Sequence, residues 1–157
     1  MTLQVEQHMA KMGLALPLDW MPRGQFLPFS KDGTIVYLSG QICEWAGEIT
    51  HIGPVLDTPK AIEDAQAATR ICVLNLIYRL RNACDGNLDR VDVILRLGGF
   101  VNCHSGFAQS PAVINWATEL FIALFGINGW HARTAVGVSG LLGNASVEVD
   151  AIVRLKG

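Results

Sequence analysis

The chain has 157 residues, of which 50% are hydrophobic and 17% are charged, and its formal net charge is −2. This length fits one domain, predicted to span residues 1–157 with an N-terminal extension over residues 1–20. The 12 Lys and Arg residues are scattered along the chain, which argues against nucleic acid as a partner. The low share of charge predicts an oligomer, because a soluble monomer usually exposes more polar surface.

Neither a membrane span nor a secretory signal is expected. The longest apolar run, around Phe121 to Phe125, is far shorter than the roughly 20 residues that a span needs. The first residues, MTLQVEQHMAKMG, lack a basic region followed by an apolar one. We therefore expect a cytoplasmic protein with no membrane partner.

The sequence predicts a short N-terminal helix and then strands and helices in the order β-β-β-α-β-α-β-β. The elements follow from hydrophobic periodicity, capping residues and turn signals. In chain order they are a helix over 5–12, strands near 25–30 and over 34–39, a strand or ribbon within 42–49, a helix opening at 57–59 and stopping at 85–86, a strand over 91–102, a helix over 110–125, and strands over 134–139 and 146–155. Two helices and about six strands predict an α+β fold, with a mixed sheet and both helices on one face.

Local signals mark three of these boundaries. Asp32-Gly33 favours the positive φ of a tight turn, which would join the first two strands. Asp57 or Thr58 can cap the long helix, whose first turn tolerates Pro59. Gly98-Gly99 interrupts a buried strand and predicts a bulge or a close approach of another group to the backbone.

The last two strands are predicted to form a hairpin, because a Gly-rich turn separates two runs of β-branched residues. Arg133 stands at the start of the first strand, while Glu148 and Asp150 share one face of the second. The side chains expected on the opposite, core-facing side are Val147, Val149, Ala151, Val153 and Leu155. A basic and an acidic group are thus offered near opposite ends of one hairpin.

Several motifs resemble the RidA (YjgF) family of reactive-intermediate deaminases, often called L-PSP endoribonucleases. Arg133, with Glu148 fifteen residues later in an alternating run, is similar to the C-terminal signature of that family. Leu38 to Gln41 resembles its S-G-Q motif, and Asn115 begins its N-x-x-x-E-x-F pattern. The resemblance implies a chorismate-mutase-like (YjgF-type) fold with a mixed six-stranded sheet, assembled as a homotrimer with clefts between the subunits.

The resemblance also implies hydrolytic deamination of 2-imino or 2-enamino acids to 2-keto acids and ammonia, without a cofactor or a metal. Arg133 would bind the substrate carboxylate, and Glu148 would hold the attacking water. A guanidinium grips a carboxylate with two parallel hydrogen bonds, which would fix the imine carbon relative to the water. Imines hydrolyse readily, so positioning and water activation would suffice.

Four further positions correspond to the substrate-binding residues of the family. Ser39 and Asn115 keep the residue types of the family motifs. Phe26 stands where the family usually has Tyr, so a ring remains without its hydroxyl. Ala135 stands where active members often have Cys. These two differences mark a divergent subgroup.

The same residues also have purely structural explanations. The Arg and Glu of the last two strands could form a cross-strand or intersubunit salt bridge. Asp150 could be a carboxylate at an interface or in solvent, and Ser39 could satisfy turn backbone only. Asn115 could be a buried amide bonded to neighbouring backbone, and Phe26 a core residue.

A second possible function is that of a small-carboxylate-binding or regulatory protein that keeps the Arg133 clamp but lacks efficient catalysis. The missing hydroxyl at Phe26 favours this alternative. An endoribonuclease is disfavoured by the scattered positive charge. In the first two cases the expected partners are other copies of the chain and a small carboxylate-bearing ligand at the cleft between subunits.

The cysteines offer little sign of a metal site or of a thiol nucleophile. Cys43, Cys72, Cys84 and Cys103 form no C-x-x-C pair and lie in segments expected to be buried, which predicts reduced packing residues. The pair Cys103-His104, even when combined with His131 and Cys43, lacks the spacing of zinc motifs and a third orienting group.

Overall fold

A computed structural model describes residues 3–157. Three α-helices and seven strands lie within these residues. Their bounds, in chain order, are α1 Gln4–Lys11, β1 Phe29–Asp32, β2 Ile35–Ile42, β3 Glu44–Trp45, β4 Glu48–Ile49, α2 Pro59–Ala83, β5 Val91–Asn102, α3 Ser110–Phe125, β6 Ala132–Val138 and β7 Val147–Leu155. The α+β class is confirmed, and the helices agree with the sequence prediction to within two residues at each end.

The longer strands form one mixed sheet of five strands in the order β1-β2-β7-β5-β6. All neighbours are antiparallel except β5 and β6, which are parallel. The third strand or ribbon predicted within 42–49 is a ribbon of two-residue strands, β3 and β4, separate from the main sheet, so that sheet has five strands and not the predicted six. The predicted first strand begins later than expected, at Phe29, because Pro28 before it has no N–H to donate to a ladder.

The predicted hairpin between the last two strands is wrong. β5 lies between β6 and β7, parallel to the first and antiparallel to the second. Because α3 connects β5 to β6, the chain returns to run in the same direction, as in other β-α-β units. The Gly-rich segment over 139–146 therefore passes across the end of β5 instead of making a tight turn. With 12 residues, β5 is the longest strand, and a position inside the sheet buries more of its apolar surface than an edge would.

Both long helices pack on one face of the sheet, as predicted, α2 over β2 and β7 and α3 over β5 and β6. Thr58 caps α2 by accepting a hydrogen bond from the backbone N–H of Ala61 at 3.2 Å. The alternation of β7 is confirmed, since its helix-facing side chains are all buried: Val147, Val149, Ala151, Val153 and Leu155. The other face is more open, with Tyr37 47% exposed on β2 and Val136 40% exposed on β6.

The apolar helix α3 belongs to the core. Together with the turn that follows it, over Ser110–Gly129, it is long and apolar enough to cross a membrane by length and composition alone. Its buried side chains face α2 and the sheet: Val113, Ile114, Ala117, Leu120, Phe121 and Leu124. A helix buried on this scale needs such a composition for packing, so the composition is no indication of a membrane protein.

The middle of β5 has glycine at positions 98 and 99 because neighbouring side chains occupy the space that a Cβ would need there. A Cβ at Gly98 would collide with the carboxylate of Asp150, and one at Gly99 would collide with Ile114 of α3. The predicted close approach is thus confirmed on both faces of the sheet. The irregularities in the pairing of β5 with β7 fall earlier, between Val91 and Arg96.

Candidate functional site

Glu148 lies on β7, on the sheet face away from the helices, beside an irregularity in β2. The pairing of β2 with β7 shifts between Leu38 and Gln41, and the bulge brings Gly40 against the Glu148 side chain. A Cβ at Gly40 would overlap the Glu148 carboxylate, so only glycine leaves room for it. Within residues 3–157, no hydrogen-bond donor contacts this carboxylate. Burial, and then the negative charge of Asp150, raise the pKa of Glu148.

Ser39 and Gln41, on either side of Gly40, have their side chains directed to backbone groups. The Ser39 hydroxyl donates to the carbonyl of Leu27 at 2.6 Å, and Gln41 Nε2 donates to the carbonyls of Ser39 and Gly40 at 3.0 and 3.1 Å. Both contacts hold the bulge that positions Gly40 under Glu148. Ser39 itself lines a neighbouring shallow depression with Tyr37.

Arg133 lies on the edge strand β6 and points towards α3. Its Nη1 donates to Asn115 Oδ1 at 2.8 Å and to Thr118 Oγ1 at 3.2 Å. Thr118 Oγ1 also lies 3.1 Å from His131 Nε2, and His131 Nδ1 lies 2.7 Å from the carbonyl of Gly129. Burial lowers the pKa of His131, and the positive charge of Arg133 lowers it further, whereas the contact with the Gly129 carbonyl raises it. The net effect is a lowered pKa, so the ring is neutral at pH 7.

The acceptors around Arg133 are neutral, so its positive charge is not matched by a carboxylate. Within the described residues Arg133 makes no ion pair. Its Nε and Nη2 make no hydrogen bond there, which leaves one edge of the guanidinium open. The explanation of Arg133 and Glu148 as a cross-strand salt bridge within one chain is therefore wrong.

Arg133 and Glu148 lie on opposite faces of the sheet. Paired residues on neighbouring strands point to the same face of a sheet. Arg133 pairs with Leu97 of β5, which is fully buried towards the helices, whereas Glu148 pairs with Phe100, which points the other way. Strand β5 separates them, so one chain does not bring the two groups into one site. Ala135, opposite Gly99, shares the helix-side face with Arg133 and packs against the core.

A cavity of ≈ 230 Å³ opens beside Glu148 and runs under the irregular N-terminal segment over 14–28. Phe26, 53% exposed, stands at this cavity, as do Gly40 and Glu148. The other lining residues come from the N-terminal segment, the end of β2, the ribbon, α2 and the 3₁₀ turn before β7, and include Trp20, Pro22, Arg23, Ile42, Glu44, Asn75, Arg79 and Leu142. Of the predicted site residues, the cavity unites only Phe26 and Glu148.

Two buried polar groups on α2 reach this cavity and were missed by the sequence analysis as site residues. Asn75 is 1% exposed and Arg79 is 4% exposed, one turn apart on the helix. Each interrupts an otherwise apolar stripe of α2, and such a polar residue on a buried helix face is the signal that could have found them. The contribution of Trp20 and Arg23 had no such signal, because their segment has no periodicity.

The cysteines and the histidines considered for a metal or thiol site are not assembled. Among residues 3–157, no three His, Cys, Asp or Glu side chains converge on a point that could hold a metal ion. Cys43 is buried beneath α2 and donates to the carbonyl of His51, while Cys103 is half-buried beside Gly137. His131 belongs to the contacts around Arg133.

Comparison with known proteins gives a family and several relatives. The family model described as "YjgF/chorismate_mutase-like, putative endoribonuclease" matches residues 6–149. Protein TCP17 of Trypanosoma cruzi is 34% identical to this chain over 156 residues, which cover 97% of this chain and 94% of that protein. The match therefore includes β7 and most of the N-terminal segment that roofs the cavity.

Solved structures resemble the chain at two levels. Protein Atu1372 of Agrobacterium tumefaciens, of unknown function, is 34% identical, with a TM-score of 0.87 and coverage of 97% of this chain and 92% of that chain. A RidA protein from an Antarctic Psychrobacter species is 23% identical, with a TM-score of 0.56 and coverage of 89% and 94%. The first similarity extends over sequence and structure, whereas the second concerns the fold alone.

Proposed function

This chain belongs to the YjgF/RidA family, and from that membership and the geometry of Arg133 and Glu148 we propose that it is a hydrolytic deaminase of 2-imino or 2-enamino acids. The products are a 2-keto acid and ammonia. The observation that carries the proposal is a pair of groups unmatched among residues 3–157: Arg133 without a carboxylate and Glu148 without a donor, on opposite faces of one sheet. The catalytic unit is a homotrimer in the cytoplasm, in which Arg133 of one subunit and Glu148 of a neighbour face one cleft.

Arg133 binds the carboxylate of the substrate in this proposal. Asn115 and Thr118 hold one nitrogen of the guanidinium from α3. The free Nε and Nη2 edge matches the two oxygens of a carboxylate, and a bidentate contact of this kind fixes orientation as well as position. Asn115 and Thr118 are thus positioning residues, and Arg133 is the substrate-binding residue.

Glu148 acts as the general base. The substrate reacts as its iminium form, C=NH₂⁺. Water attacks the iminium carbon while the Glu148 carboxylate takes one proton from the water, and a carbinolamine forms. Glu148 then returns that proton to the amino group, the C–N bond breaks and ammonia leaves, and Glu148 takes the hydroxyl proton as the carbonyl forms and releases it to solvent. The raised pKa of Glu148 matches this exchange, since a base with a pKa closer to neutral both accepts and returns the proton readily. Neither step requires a metal or an organic cofactor.

The residues Phe26 and Ala135 support the alternative of a carboxylate-binding or regulatory protein. Phe26 has no hydroxyl to bond to the substrate, and Ala135 has no thiol. In that case the Arg133 clamp binds a small carboxylate without turnover. An endoribonuclease, the activity in the family description, is a weaker candidate because the net charge is −2 and the basic residues are scattered.

The deciding experiment generates 2-iminopropionate in situ and follows the release of pyruvate with and without the protein. We expect acceleration over buffer by a protein that sediments as a trimer. A trimeric protein that gives no acceleration would overturn the deaminase proposal and leave the binding alternative. Arg133→Ala should abolish the acceleration and keep the trimer, whereas loss of the trimer would indicate that Arg133 serves assembly.

A further inference from the structure

His131 continues the contacts around Arg133 and has no part in the proposed reaction. Its Nδ1 lies 2.7 Å from the carbonyl oxygen of Gly129, and its Nε2 lies 3.1 Å from Thr118 Oγ1. Thr118 Oγ1 in turn accepts a hydrogen bond from Arg133 Nη1 at 3.2 Å. The imidazole thus joins the turn after α3 to the hydroxyl that contacts the guanidinium.

The Gly129 carbonyl determines where the hydrogens of these contacts lie. A carbonyl oxygen can only accept a hydrogen bond, so we assign the proton of the ring to Nδ1. In a neutral imidazole the other nitrogen is then an acceptor, and the lowered pKa of His131 keeps the ring neutral at pH 7. Nε2 therefore accepts from the Thr118 hydroxyl, whose lone pairs are left to face Arg133.

The far end of these contacts is rigid. Gly129 is buried, and it packs so closely on α3 that a Cβ there would overlap the backbone of Phe121. The Phe121 ring also meets the imidazole of His131 edge to face, with 6.0 Å between the ring centroids and 78° between the planes. The imidazole is therefore held in one orientation, with Nε2 directed at α3.

A threonine within a helix has a second acceptor in reach, as Thr69 of α2 shows. The Thr69 hydroxyl donates to the backbone carbonyl four residues earlier at 3.0 Å. The corresponding carbonyl for Thr118 on α3 is that of Ile114. A Thr118 hydroxyl that donated to this carbonyl would turn its lone pairs away from their direction towards Arg133. Nε2 of His131 offers the competing acceptor.

We propose that His131 is a positioning residue of the carboxylate site: it accepts the proton of the Thr118 hydroxyl and so keeps the lone pairs of that hydroxyl directed at Arg133. The guanidinium is then held with its Nε and Nη2 edge open to a carboxylate. Each hydrogen bond in such a chain polarises the next, which strengthens the contact to Arg133. This inference rests on the proposed function only through the role of Arg133, because it concerns binding and not proton transfer by Glu148.

The first test locates the proton of the ring. A two-bond proton–nitrogen NMR spectrum of the full chain at neutral pH distinguishes the two forms of a neutral imidazole, because a protonated and an unprotonated nitrogen differ widely in chemical shift. We expect His131 to carry its proton on Nδ1. A proton on Nε2 would overturn the inference, since the Thr118 hydroxyl could then not donate to the ring.

Two substitutions separate positioning from packing. The amide of Gln lies near the position of the imidazole Nε2, so His131→Gln keeps an acceptor for Thr118. The amide of Asn lies near the position of Nδ1, so His131→Asn keeps the contact to Gly129 and loses the acceptor. We expect the affinity for pyruvate to fall roughly two- to fivefold in His131→Asn and less than about twofold in His131→Gln. NMR titration of the Arg133 Nε–H signal measures this affinity, and equal losses in the two variants would overturn the inference.

The dependence on Thr118 gives a further criterion. Thr118→Val removes the hydroxyl, so adding His131→Asn to it should cause no further loss of affinity, and losses that add would contradict the inference. The matched control is His51→Asn in the loop after β4, where His51 Nδ1 lies 2.8 Å from the hydroxyl of Thr50, and it should leave the affinity unchanged. If the variants of His131 do not fold, the position of the ring proton in the wild-type protein decides.

Pyruvate binding and activity separate this inference from the function on which it rests. If pyruvate does not shift the Arg133 signal of the wild-type protein, Arg133 is not the carboxylate-binding residue and both proposals fail. Pyruvate binding that does not depend on His131 refutes the inference only. Binding that depends on His131, without acceleration of 2-iminopropionate hydrolysis, refutes the deaminase and keeps the positioning role.

Discussion

Arg133 and Glu148 are held in opposite ways by the same sheet. Arg133 is fixed from α3 by neutral oxygen acceptors, which orient the guanidinium and leave its charge unmatched. Glu148 stands against a glycine, without a donor among residues 3–157 and with a second carboxylate nearby, so its ionised form is disfavoured. The first arrangement prepares a group to bind an anion, and the second prepares a group to take up a proton. In the proposed reaction, this difference corresponds to substrate binding on one face and proton transfer on the other.

The largest expected effect comes from removing the base. Glu148→Gln keeps the shape of the side chain but cannot accept a proton, and we expect kcat for 2-iminopropionate to fall about 10²–10⁴-fold. Initial rates of pyruvate release measure this. The control is Glu48→Gln, at an exposed position on β4, which should leave kcat unchanged. Full activity in Glu148→Gln would show that Glu148 is not the base.

A smaller effect is expected from removing one of the hydrogen bonds that hold Arg133 in place. Thr118→Val removes one acceptor of Arg133 Nη1 and keeps the size of the side chain, so KM should rise about three- to tenfold, as for the loss of one hydrogen bond of ~1 kcal/mol. Because Thr118 acts through Arg133, kcat should change less than KM. Steady-state kinetics distinguish these two parameters. A drop in kcat at constant KM would contradict a positioning role.

Two of the glycines that make room for a neighbouring side chain, Gly40 and Gly99, can be compared directly. Gly40→Ala displaces Glu148, and Gly99→Ala displaces Ile114, so each should lower the free energy of unfolding by about 1–3 kcal/mol. Urea denaturation measures both losses. Only Gly40→Ala should also lower kcat/KM, about tenfold or more, because only there does the base move. Equal losses of activity in both variants would mean that stability alone controls the rate.

The smallest expected effect is a shift in the pH profile. Glu148 works in its ionised form and its pKa is raised, so kcat/KM should be lost as the pH falls through that raised pKa, above the range of an ordinary Glu. Asp150→Asn removes the negative charge that contributes to the rise, so the acid limb should move to lower pH. An acid limb that moves to higher pH, or does not move, would contradict the contribution of Asp150.

Much of the fold could be predicted from the sequence, because it depends on local periodicity and local signals. The alternation over 147–155 gave the buried and open faces of β7, and Thr58 and Pro59 marked the start of α2. The neighbour of β7 could not be predicted in this way. Two runs of β-branched residues around a Gly-rich segment satisfy a hairpin equally well, and only the position of the long, apolar β5 decides against it.

The positions of the candidate site residues could be predicted where these residues lie on regular elements. The sequence predicts the strands that carry Arg133 and Glu148 and the helix that carries Asn115, but the opposite orientation of Arg133 and Glu148 depends on strand order, which local patterns do not contain. The cavity depends on the segment over 14–28, whose prolines and lack of periodicity give no indication of which side chains turn inwards. Asn75 and Arg79 were accessible in principle, as polar residues on a buried helix face.

The central place of β7 has a consequence for how the protein is made. It pairs with both β2 and β5, and it is the last of the described strands to leave the ribosome. Until β7 emerges, the β1-β2 hairpin and the β5-α3-β6 unit have no strand to join them. Helix α2 can then pack on β2 but not yet on β7. The sheet is therefore expected to be completed last at its centre, when the strand that carries Glu148 inserts between two halves already present.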